Sequence, residues 1–205
     1  MSIRALVLLG VSIAAYSQPL DPAKLLQPPT DTWPTFNGDY SGRRFSTLTQ
    51  INAKNVRNLA LAWAYRADSG PEPNPFGVEI KATPLLINGV LYFTMPDNAW
   101  AIDARDGHQL WHYFWKTKGG THIGNRGLGM WNTYLFMETP DDYLVSLDSK
   151  TGKELWVTKI DAGAHSAPIT FRGKDGKQYI VVTATGGGFL GDRSRADTVI
   201  AYALP

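Results

Sequence analysis

Three groups of side chains in this sequence are of a type that could do chemistry. Asp141 and Asp142 are adjacent carboxylates, residues 186–191 (GGGFLG) form a glycine-rich run, and Arg126 lies in an Asn-Arg-Gly sequence. The carboxylate pair falls in a predicted turn, where acidic residues are common, so a role in the turn is favoured over catalysis. The glycine run lacks the following helix and the Lys-Ser/Thr pair of a phosphate-binding loop, so it predicts a bend.

The four histidines do not form a recognisable metal site. His108, His112, His122 and His165 show no metal-site spacing on a helix. His108 and His112 straddle a predicted strand, where residues four apart share a face but lie far from each other. The chain has no cysteine, so neither a disulfide nor a cysteine-ligated metal is available to it.

Arg126 has the chemistry of an anion-binding residue. A guanidinium group offers a planar pair of donors that matches a carboxylate. The alternative is a loop arginine that forms an ion pair on the surface. Residue type leaves both interpretations open, so the elements that position this side chain must distinguish them.

Three tryptophans recur at a nearly fixed interval and indicate those elements. Trp63, Trp111 and Trp156 lie in similar short strands, spaced 48 and 45 residues apart. A repeat of this length predicts stacked sheets, with one β-propeller blade per repeat. A large flat side chain repeated once per blade is suited to packing between neighbouring sheets, with its N–H bonded to a backbone carbonyl. We therefore predict a structural role for all three tryptophans.

The turn before the tryptophan strand repeats as well. The segments AIDARDGHQLW and SLDSKTGKELW share Asp, Gly, Leu and Trp at matching positions. The aspartates, Asp103 and Asp148, are predicted to close one strand. The glycines, Gly107 and Gly152, are predicted to supply the positive φ that such hairpin turns commonly require.

Further strands complete each repeat. Asn88-Gly89 between two apolar runs predicts a two-residue β-hairpin. In the last repeat, residues 179–184 and 197–204 are predicted strands without a following tryptophan strand, and we expect residues 58–65 to supply it. The predicted fold is all-β: a partial β-propeller of about three four-stranded antiparallel blades, with the N-terminal strand completing the last blade.

The chain before the repeats is predicted to have two parts. Residues 1–17 place Arg4 before eleven apolar residues and a small-x-small site, which predicts a signal peptide and export to the periplasm. The alternative, a transmembrane anchor, needs roughly 18 residues. Residues 18–57 are expected to be an N-terminal arm with a short helical turn, ahead of a β-propeller repeat domain at 58–205. The net charge of +2 gives no reason to expect nucleic acid as a partner.

Several blocks of the sequence resemble one family, in that family's order. They are WPTFNGDYSGRRFSTLTQINAKNVRNLALAW (33–63), KATPLLINGVLYFTMPDNAWAIDARDGHQLWHY (81–113), HIGNRGLGMW (122–131) and GKQYIVVTATGGGFLG (176–191). They are similar to the pyrroloquinoline-quinone (PQQ)-dependent alcohol dehydrogenases, and the resemblance extends over nearly all of 31–205. It implies an eight-bladed propeller with a tryptophan-docking repeat, a quinone and a calcium ion near the axis, and an aspartate base that works while hydride passes to the quinone. The middle blades of the family have no counterpart in this chain.

The resemblance also assigns residues. Arg126 matches the family's arginine that contacts the acidic groups of the quinone. Lys81 stands where the family often has an acidic residue or Gln beside the quinone, and it can pair with an anionic cofactor but cannot ligate calcium while protonated. Glu79 is a candidate substitute, with a solvated strand residue as the alternative. The family's calcium ligands and catalytic Asp belong to the blades without a counterpart, so we assign no catalytic residue and no metal ligand.

Two functions are therefore weighed. The first is a PQQ-dependent oxidoreductase, by resemblance acting on a small alcohol and passing electrons to a periplasmic acceptor such as cytochrome c. The second is a non-catalytic propeller-repeat module or scaffold with the same strands. Three blades are fewer than the roughly 4 to 8 of known closed propellers. Exposed blade faces then lead us to expect self-association, a strained compact form or a product of low stability.

Overall fold

The computed structural model describes residues 19–67, 80–117, 124–186 and 194–205. These residues form two short 3-10 helices, Pro22–Leu26 and Val56–Asn58. They also form the strands β1 (Leu85–Ile87), β2 (Val90–Met95), β3 (Asn98–Asp103), β4 (Gln109–Phe114), β5 (Gly129–Trp131), β6 (Tyr134–Glu138), β7 (Tyr143–Asp148), β8 (Glu154–Lys159), β9 (Ile169–Arg172), β10 (Gln178–Gly186) and β11 (Arg195–Tyr202).

The strands make three antiparallel sheets. The first sheet has the order β1-β2-β3-β4 and the second has the order β5-β6-β7-β8, whereas the third contains β9, β10 and β11, with β10 in the middle. The sheets do not close into a ring. The prediction of an all-β, partial propeller built from repeated antiparallel sheets is confirmed.

The predicted hairpin at Asn88-Gly89 is also present. Ile87 pairs with Val90 across it, and both loop residues have positive φ, 50° at Asn88 and 79° at Gly89. Two left-handed residues in a two-residue loop match the twist of the flanking strands, which is why Asn-Gly is favoured there.

The pairing register makes the three sheets equivalent position by position. The first residue of the first strand in each sheet pairs with one residue of the second strand, and that residue pairs in turn with one of the third strand. These rows are Leu85-Tyr92-Ala101, Gly129-Phe136-Ser146 and Ile169-Val181-Ala201. Ala201 therefore corresponds to Ala101 and Ser146. The fourth-strand partner of those two residues is a tryptophan, Trp111 or Trp156.

The sheets stack in chain order through two apolar clusters. Residues such as Tyr92 and Met137 belong to the cluster that joins the first and second sheets. Phe136 and Val182 belong to the cluster that joins the second and third. Each sheet thus has a front face toward the next sheet in the chain and a back face toward the sheet before it.

The N-terminal arm packs along the first two sheets. Leu20 and Leu25 are buried in the first cluster. Leu20 forms an isolated bridge with Asn132, and Trp33 forms one with Leu86. The arm therefore contributes to the same core as the repeats.

The prediction that residues 58–65 complete the third sheet is wrong. Residues 59–67 belong to no strand, and Trp63, Tyr65 and Ala67 pack on the back face of the first sheet, against Phe93 and Trp100. Because the sheets stack in chain order, the first and second sheets both lie between this segment and β11. The third sheet consequently has three described strands instead of the expected four.

Two local predictions fall near the N-terminus. The 3-10 helix Val56–Asn58 lies at the end of residues 18–57, the segment in which a short helical turn was expected. The predicted signal peptide lies outside the described residues. Within the ranges given above, no helix has the length and apolar character needed to cross a membrane.

Candidate functional site

The chain segments that lead into the first strands of the three sheets meet at Arg126. The Thr83 amide, ahead of β1, donates to the Arg126 carbonyl at 3.2 Å. The Arg126 amide, ahead of β5, donates to the Ser166 carbonyl at 3.3 Å, and Ser166 precedes β9. Arg126 therefore lies at the junction of all three sheets, with its side chain exposed.

Its two neighbours fix this loop. Asn125 is 6% exposed, accepts hydrogen bonds from Thr94 Oγ1 and the Gly127 amide, and donates to the Glu138 carbonyl at 2.7 Å. Gly127 has φ +128°, and a Cβ atom there would lie 3.1 Å from the Thr83 carbonyl oxygen. The buried amide holds the loop in place and the glycine allows the close approach, so Arg126 is presented from a fixed backbone.

A cavity of about 420 Å³ lies beside this junction. Ligand pockets are commonly of about 300 to 1,000 Å³, with largely apolar walls and a few polar groups. Arg126 and Ser166 contribute polar groups, and the rest of the lining comes from the N-terminal arm, from β5 and its approach, and from β9 and its approach: Leu25, Pro34, Thr35, Phe36, Asn37, Asp39, Tyr40, Gly42, Leu128, Gly129, Met130, Ala167, Pro168, Ile169 and Thr170.

The arm brings one acid and one phenol to the cavity. The hydroxyl and amide of Ser41 donate to Asp39, and the hydroxyl bond above all keeps the pKa of Asp39 below its ordinary value. The Tyr40 hydroxyl donates to the Thr170 carbonyl, and burial raises the pKa of this phenol. The cavity therefore has a negative charge on the arm side and the Arg126 guanidinium on the strand side.

Lys81 lies close to the junction in sequence. It is exposed and stands two residues before Thr83, whose amide bonds to Arg126. Lys81 is not among the residues that line the cavity. Glu79 lies outside the described residues.

A buried carboxyl group next to the cavity was missed by the sequence reasoning. Glu138, at the end of β6, is 1% exposed, and Ser166 Oγ lies 3.0 and 2.9 Å from its two carboxyl oxygens. Burial raises the pKa of Glu138 to about 7, while the Ser166 bonds act in the opposite direction. The available signal was a glutamate directly after the apolar run Leu-Phe-Met, a position that continues a buried strand. Ionisable side chains are seldom fully buried, so a glutamate at such a position is informative.

Ser166 joins this carboxyl group to the cavity. Its Oγ also lies 3.0 Å from Thr183 Oγ1, and Ser166 itself lines the cavity wall. Because a hydroxyl both donates and accepts, it can pass a proton between the cavity and Glu138.

The repeated tryptophans show the same contact twice. Trp111 Nε1 donates to the Ser149 carbonyl at 2.9 Å, and Trp63 Nε1 donates to the Ala104 carbonyl at 3.1 Å. In each case the indole lies over the turn glycine of the next sheet, where an added Cβ would come within 2.7 Å of the ring. The glycines are Gly152, with φ +69°, and Gly107, with φ +76°.

Trp156 differs from the other two tryptophans. It is 40% exposed, against 8% for Trp111. Its ring meets Tyr202 edge-on, with centroids 5.4 Å apart. It also lines an open cavity of about 550 Å³ with the C-terminal residues 203–205.

The repeated aspartates organise the turns. Asp148 Oδ1 accepts from the amides of Lys150 and Thr151. Asp103 accepts from the amide of Arg105 and pairs with its guanidinium, Nη2 to Oδ2 2.6 Å, and the Arg105 side-chain bond lowers the pKa of Asp103 to about 2.

The remaining candidate residues have contacts of other kinds. Asp141 accepts from Trp115 Nε1 at 2.8 Å, and Asp142, in a turn with φ 72°, accepts from Ser194 Oγ at 2.7 Å. His112 Nε2 lies 2.6 Å from Asn98 Oδ1, and its ring stacks on Trp100. His122 and residues 187–191 of the glycine run lie outside the described residues.

The described residues suit an anion better than a metal. Across residues 19–67, 80–117, 124–186 and 194–205, no three His, Asp or Glu side chains come together in a metal-binding group. The cavity, in contrast, combines apolar walls with a guanidinium, which fits a flat organic anion carrying carboxylates. No calcium site is therefore assigned, and an acidic quinone fits the side of the cavity where Arg126 lies.

A family model covers most of the chain. Residues 33–135 and 132–180 match the PQQ model, described as glucose/ethanol/alcohol dehydrogenase, β-propeller domain. The chain is 36% identical over 161 residues to a quinohemoprotein alcohol dehydrogenase of Comamonas testosteroni, an alignment that covers 71% of this chain and 21% of that relative. It is 34% identical over 174 residues to a 1-butanol dehydrogenase (cytochrome c) of Thauera butanivorans, covering 78% of this chain and 23% of that one.

Two solved structures of alcohol dehydrogenases are also similar to this chain. Quinohemoprotein alcohol dehydrogenase ADHIIG from Pseudomonas putida HK5 superimposes with a TM-score of 0.68 at 27% identity, over 83% of this chain and 28% of that chain. A europium-containing methanol dehydrogenase gives a TM-score of 0.62 at 29% identity, over 84% and 30%. The chain thus spans about a fifth of the length of the curated relatives.

Proposed function

The chain belongs to the PQQ family of glucose/ethanol/alcohol dehydrogenase β-propeller domains, and on that premise we propose that it binds PQQ at the Arg126 cavity and serves as a PQQ-dependent oxidoreductase of alcohols. The observation that carries this proposal is the position of Arg126. This side chain lines an apolar-walled cavity from a loop that is fixed by Asn125 and by backbone bonds to Thr83 and Ser166.

The quinone's carboxylates would be held by two cations. A guanidinium presents paired donors to a carboxylate, so Arg126 would make the stronger, oriented contact. Lys81 would add a point charge from the segment next to Arg126, outside the cavity lining. Asp39 lies on the arm side of the cavity as a negative charge, so the anionic end of the ligand would lie away from it.

The chain also carries a group that can take a proton. Oxidation of an alcohol to an aldehyde removes a hydride and a proton, and bound PQQ would supply the hydride acceptor. The Ser166 hydroxyl would relay the proton from the cavity to Glu138, whose raised pKa of about 7 suits it to hold a proton near neutrality.

Further attributes of the family are part of the proposal. Its substrate would be a small alcohol and its electron acceptor a periplasmic cytochrome c, as the name of the butanol dehydrogenase relative suggests for that protein. Residues 1–17 would direct export to the periplasm as a signal peptide. Calcium would be a family attribute for which the described residues offer no ligand group.

Equilibrium dialysis against PQQ tests the site. We expect binding that weakens as salt is raised and that falls roughly 10-fold or more in Arg126→Ala, since hydrogen bonds to charged groups contribute about 1.5 to 3 kcal/mol. Arg57→Ala is the matched control, because it removes one positive charge from an exposed 3-10 helix that does not line the cavity. Equal loss in both variants, or no binding by the unmodified chain, would reject the site.

Turnover is measured separately, by dye-linked oxidation of a primary alcohol with PQQ and calcium added. The proposed relay predicts that Glu138→Gln lowers turnover and leaves PQQ binding unchanged. Binding without any turnover supports the second candidate, a non-catalytic repeat module. The observation that favours this second function is the apolar front face of the third sheet, where Ile169 is 57% and Val199 68% exposed.

A further inference from the structure

Residues 59–67 occupy the place of a fourth strand from a preceding sheet, and the described residues of this copy form no such sheet. Trp63 contacts the first sheet through the Ala104 carbonyl and Gly107, just as Trp111 of the first sheet contacts the second through Ser149 and Gly152. The Tyr65 hydroxyl donates to Gln109, and the matching Tyr113 hydroxyl donates to Glu154. The segment therefore lies on the first sheet as β4 lies on the second.

The segment also has the backbone pattern of a strand. Residues 63, 65 and 67 are half-buried, whereas residues 62, 64 and 66 are exposed. This period of two is that of a strand with one face packed. Because residues 62, 64 and 66 are all exposed, the outer side of the segment is accessible.

At the other end of the stack, the third sheet lacks a fourth strand among the described residues. β11 is eight residues long, lies at the edge of its sheet, and pairs there with β10. A long exposed edge strand is a template for pairing with another chain. The front face beside it exposes Ile169, Phe171 and Val199.

We propose that residues 59–67 of one copy of this chain pair with β11 of a second copy, as the fourth strand of its third sheet. The register follows from the equivalence of the sheets: Trp63 lies opposite Ala201, because Trp111 lies opposite Ala101 and Trp156 opposite Ser146. Tyr65 then lies opposite Val199.

This register is chemically compatible along its length. Arg66 lies opposite Thr198 and Ala67 opposite Asp197, so no like charges face each other. Tyr65 and Val199 form an aromatic and β-branched pair, which is a favourable cross-strand combination. Trp63 keeps its contact with Gly107, since it points to the front face of the sheet that it joins.

The geometry also limits the assembly. The contact is head-to-tail, so it forms either a ring or an open chain of copies. Counting the described residues, two copies joined at both ends carry six sheets, which is within the roughly 4 to 8 of known closed propellers. The second copy is therefore the occupant of the exposed edge, and a closed dimer is the expected form.

Disulfide trapping tests the register, since the chain contains no cysteine. The full-length variants Arg66→Cys and Thr198→Cys are mixed and oxidised. We expect a cross-linked dimer in at least about 10-fold greater yield than from Arg66→Cys mixed with Val199→Cys, because a shift of one residue turns the second thiol to the opposite face. Native mass spectrometry of the unmodified chain is expected to show the dimer.

Three results would overturn the proposal. The first is a monomeric unmodified chain at micromolar concentration. The second is a dimer in which the 66/198 mixture cross-links no better than the 66/199 mixture, since association then uses another surface. The third is an intrachain disulfide in the monomeric double variant Arg66→Cys/Thr198→Cys, which would mean that each copy pairs these strands within itself.

Discussion

Gly152 lies directly beneath the indole ring of Trp111, so close that a Cβ atom on Gly152 would be 2.7 Å from Trp111 Cε3. The glycine therefore has two reasons to be present. Its φ of +69° is a conformation that other residues adopt at a cost, and its missing side chain leaves space for the ring of the preceding sheet. The turn and the contact between the sheets therefore both depend on the absence of a Cβ atom at Gly152.

Gly152→Ala is expected to be more destabilising than a glycine replacement that changes φ preference alone. We expect a loss of about 2 to 4 kcal/mol, from left-handed strain and overpacking together. Gly89→Ala is the matched control, since Gly89 has φ +79° and no heavy atom lies within 4 Å of its added Cβ. Its expected loss is about 1 kcal/mol. Urea unfolding measures both, and equal losses would contradict the steric argument.

Trp111 and Trp156 are expected to differ in their contribution to stability. Trp111→Ala should cost about 3 to 5 kcal/mol, as is usual for a buried large aromatic residue, and it also removes a donor to the Ser149 carbonyl. Trp156→Ala should cost about 1 to 2 kcal/mol, because this ring is 40% exposed. Thermal and urea unfolding at one protein concentration test the order. A greater loss at Trp156 would mean that it packs more tightly than the structure shows.

Stability is expected to fall as the pH rises from about 4.5 to about 7. Burial raises the pKa of Glu138 from 4.5 to about 7, so in this range the folded chain holds a proton that the unfolded chain releases. This proton contributes on the order of 3 kcal/mol to the free energy of unfolding. The contribution is fully present below the unfolded pKa and is lost as the pH rises through the folded pKa. Glu138→Gln should flatten this part of the curve of unfolding free energy against pH. An unchanged slope in that variant would assign the slope to other groups.

Ser166→Ala is expected to move the same transition upward in pH. The Ser166 hydroxyl donates to both carboxyl oxygens of Glu138 and so favours the charged form, and its removal should raise the pKa of Glu138 above about 7. Carbon-13 NMR titration of the glutamate carboxyl group measures the shift directly. Thr183→Ala is the control, since Thr183 contacts Ser166 and makes no hydrogen bond to Glu138 in the described structure. Its effect should be smaller, and an equal shift would argue against a direct role of the serine hydroxyl.

Sequence reasoning reached one residue of the cavity lining, Arg126, and it did so because the Asn-Arg-Gly sequence resembles a family motif. The glycine that admits Thr83 and the asparagine that holds the loop belong to the same motif. The Glu138 carboxyl group could not be placed in this way, since its partner Ser166 is 28 residues away and precedes the first strand of another sheet. Which faces of two sheets meet depends on how they stack, and sequence spacing carries little information on that.

The sequence by itself determined the elements that depend on local backbone preference. Asn88-Gly89 specified its hairpin through positive φ at both positions, and the tryptophan period specified repeated antiparallel sheets. Tertiary structure alone decided the position of Trp63. Its repeat pattern fits a fourth strand of any sheet, and the ring lies on Gly107 because the turn there offers a carbonyl acceptor and a surface without a side chain. By sequence alone, residues 59–67 could equally join the third sheet of their own copy or that of a neighbour. Only the arrangement in space, which places the first two sheets between this segment and β11, distinguishes the two.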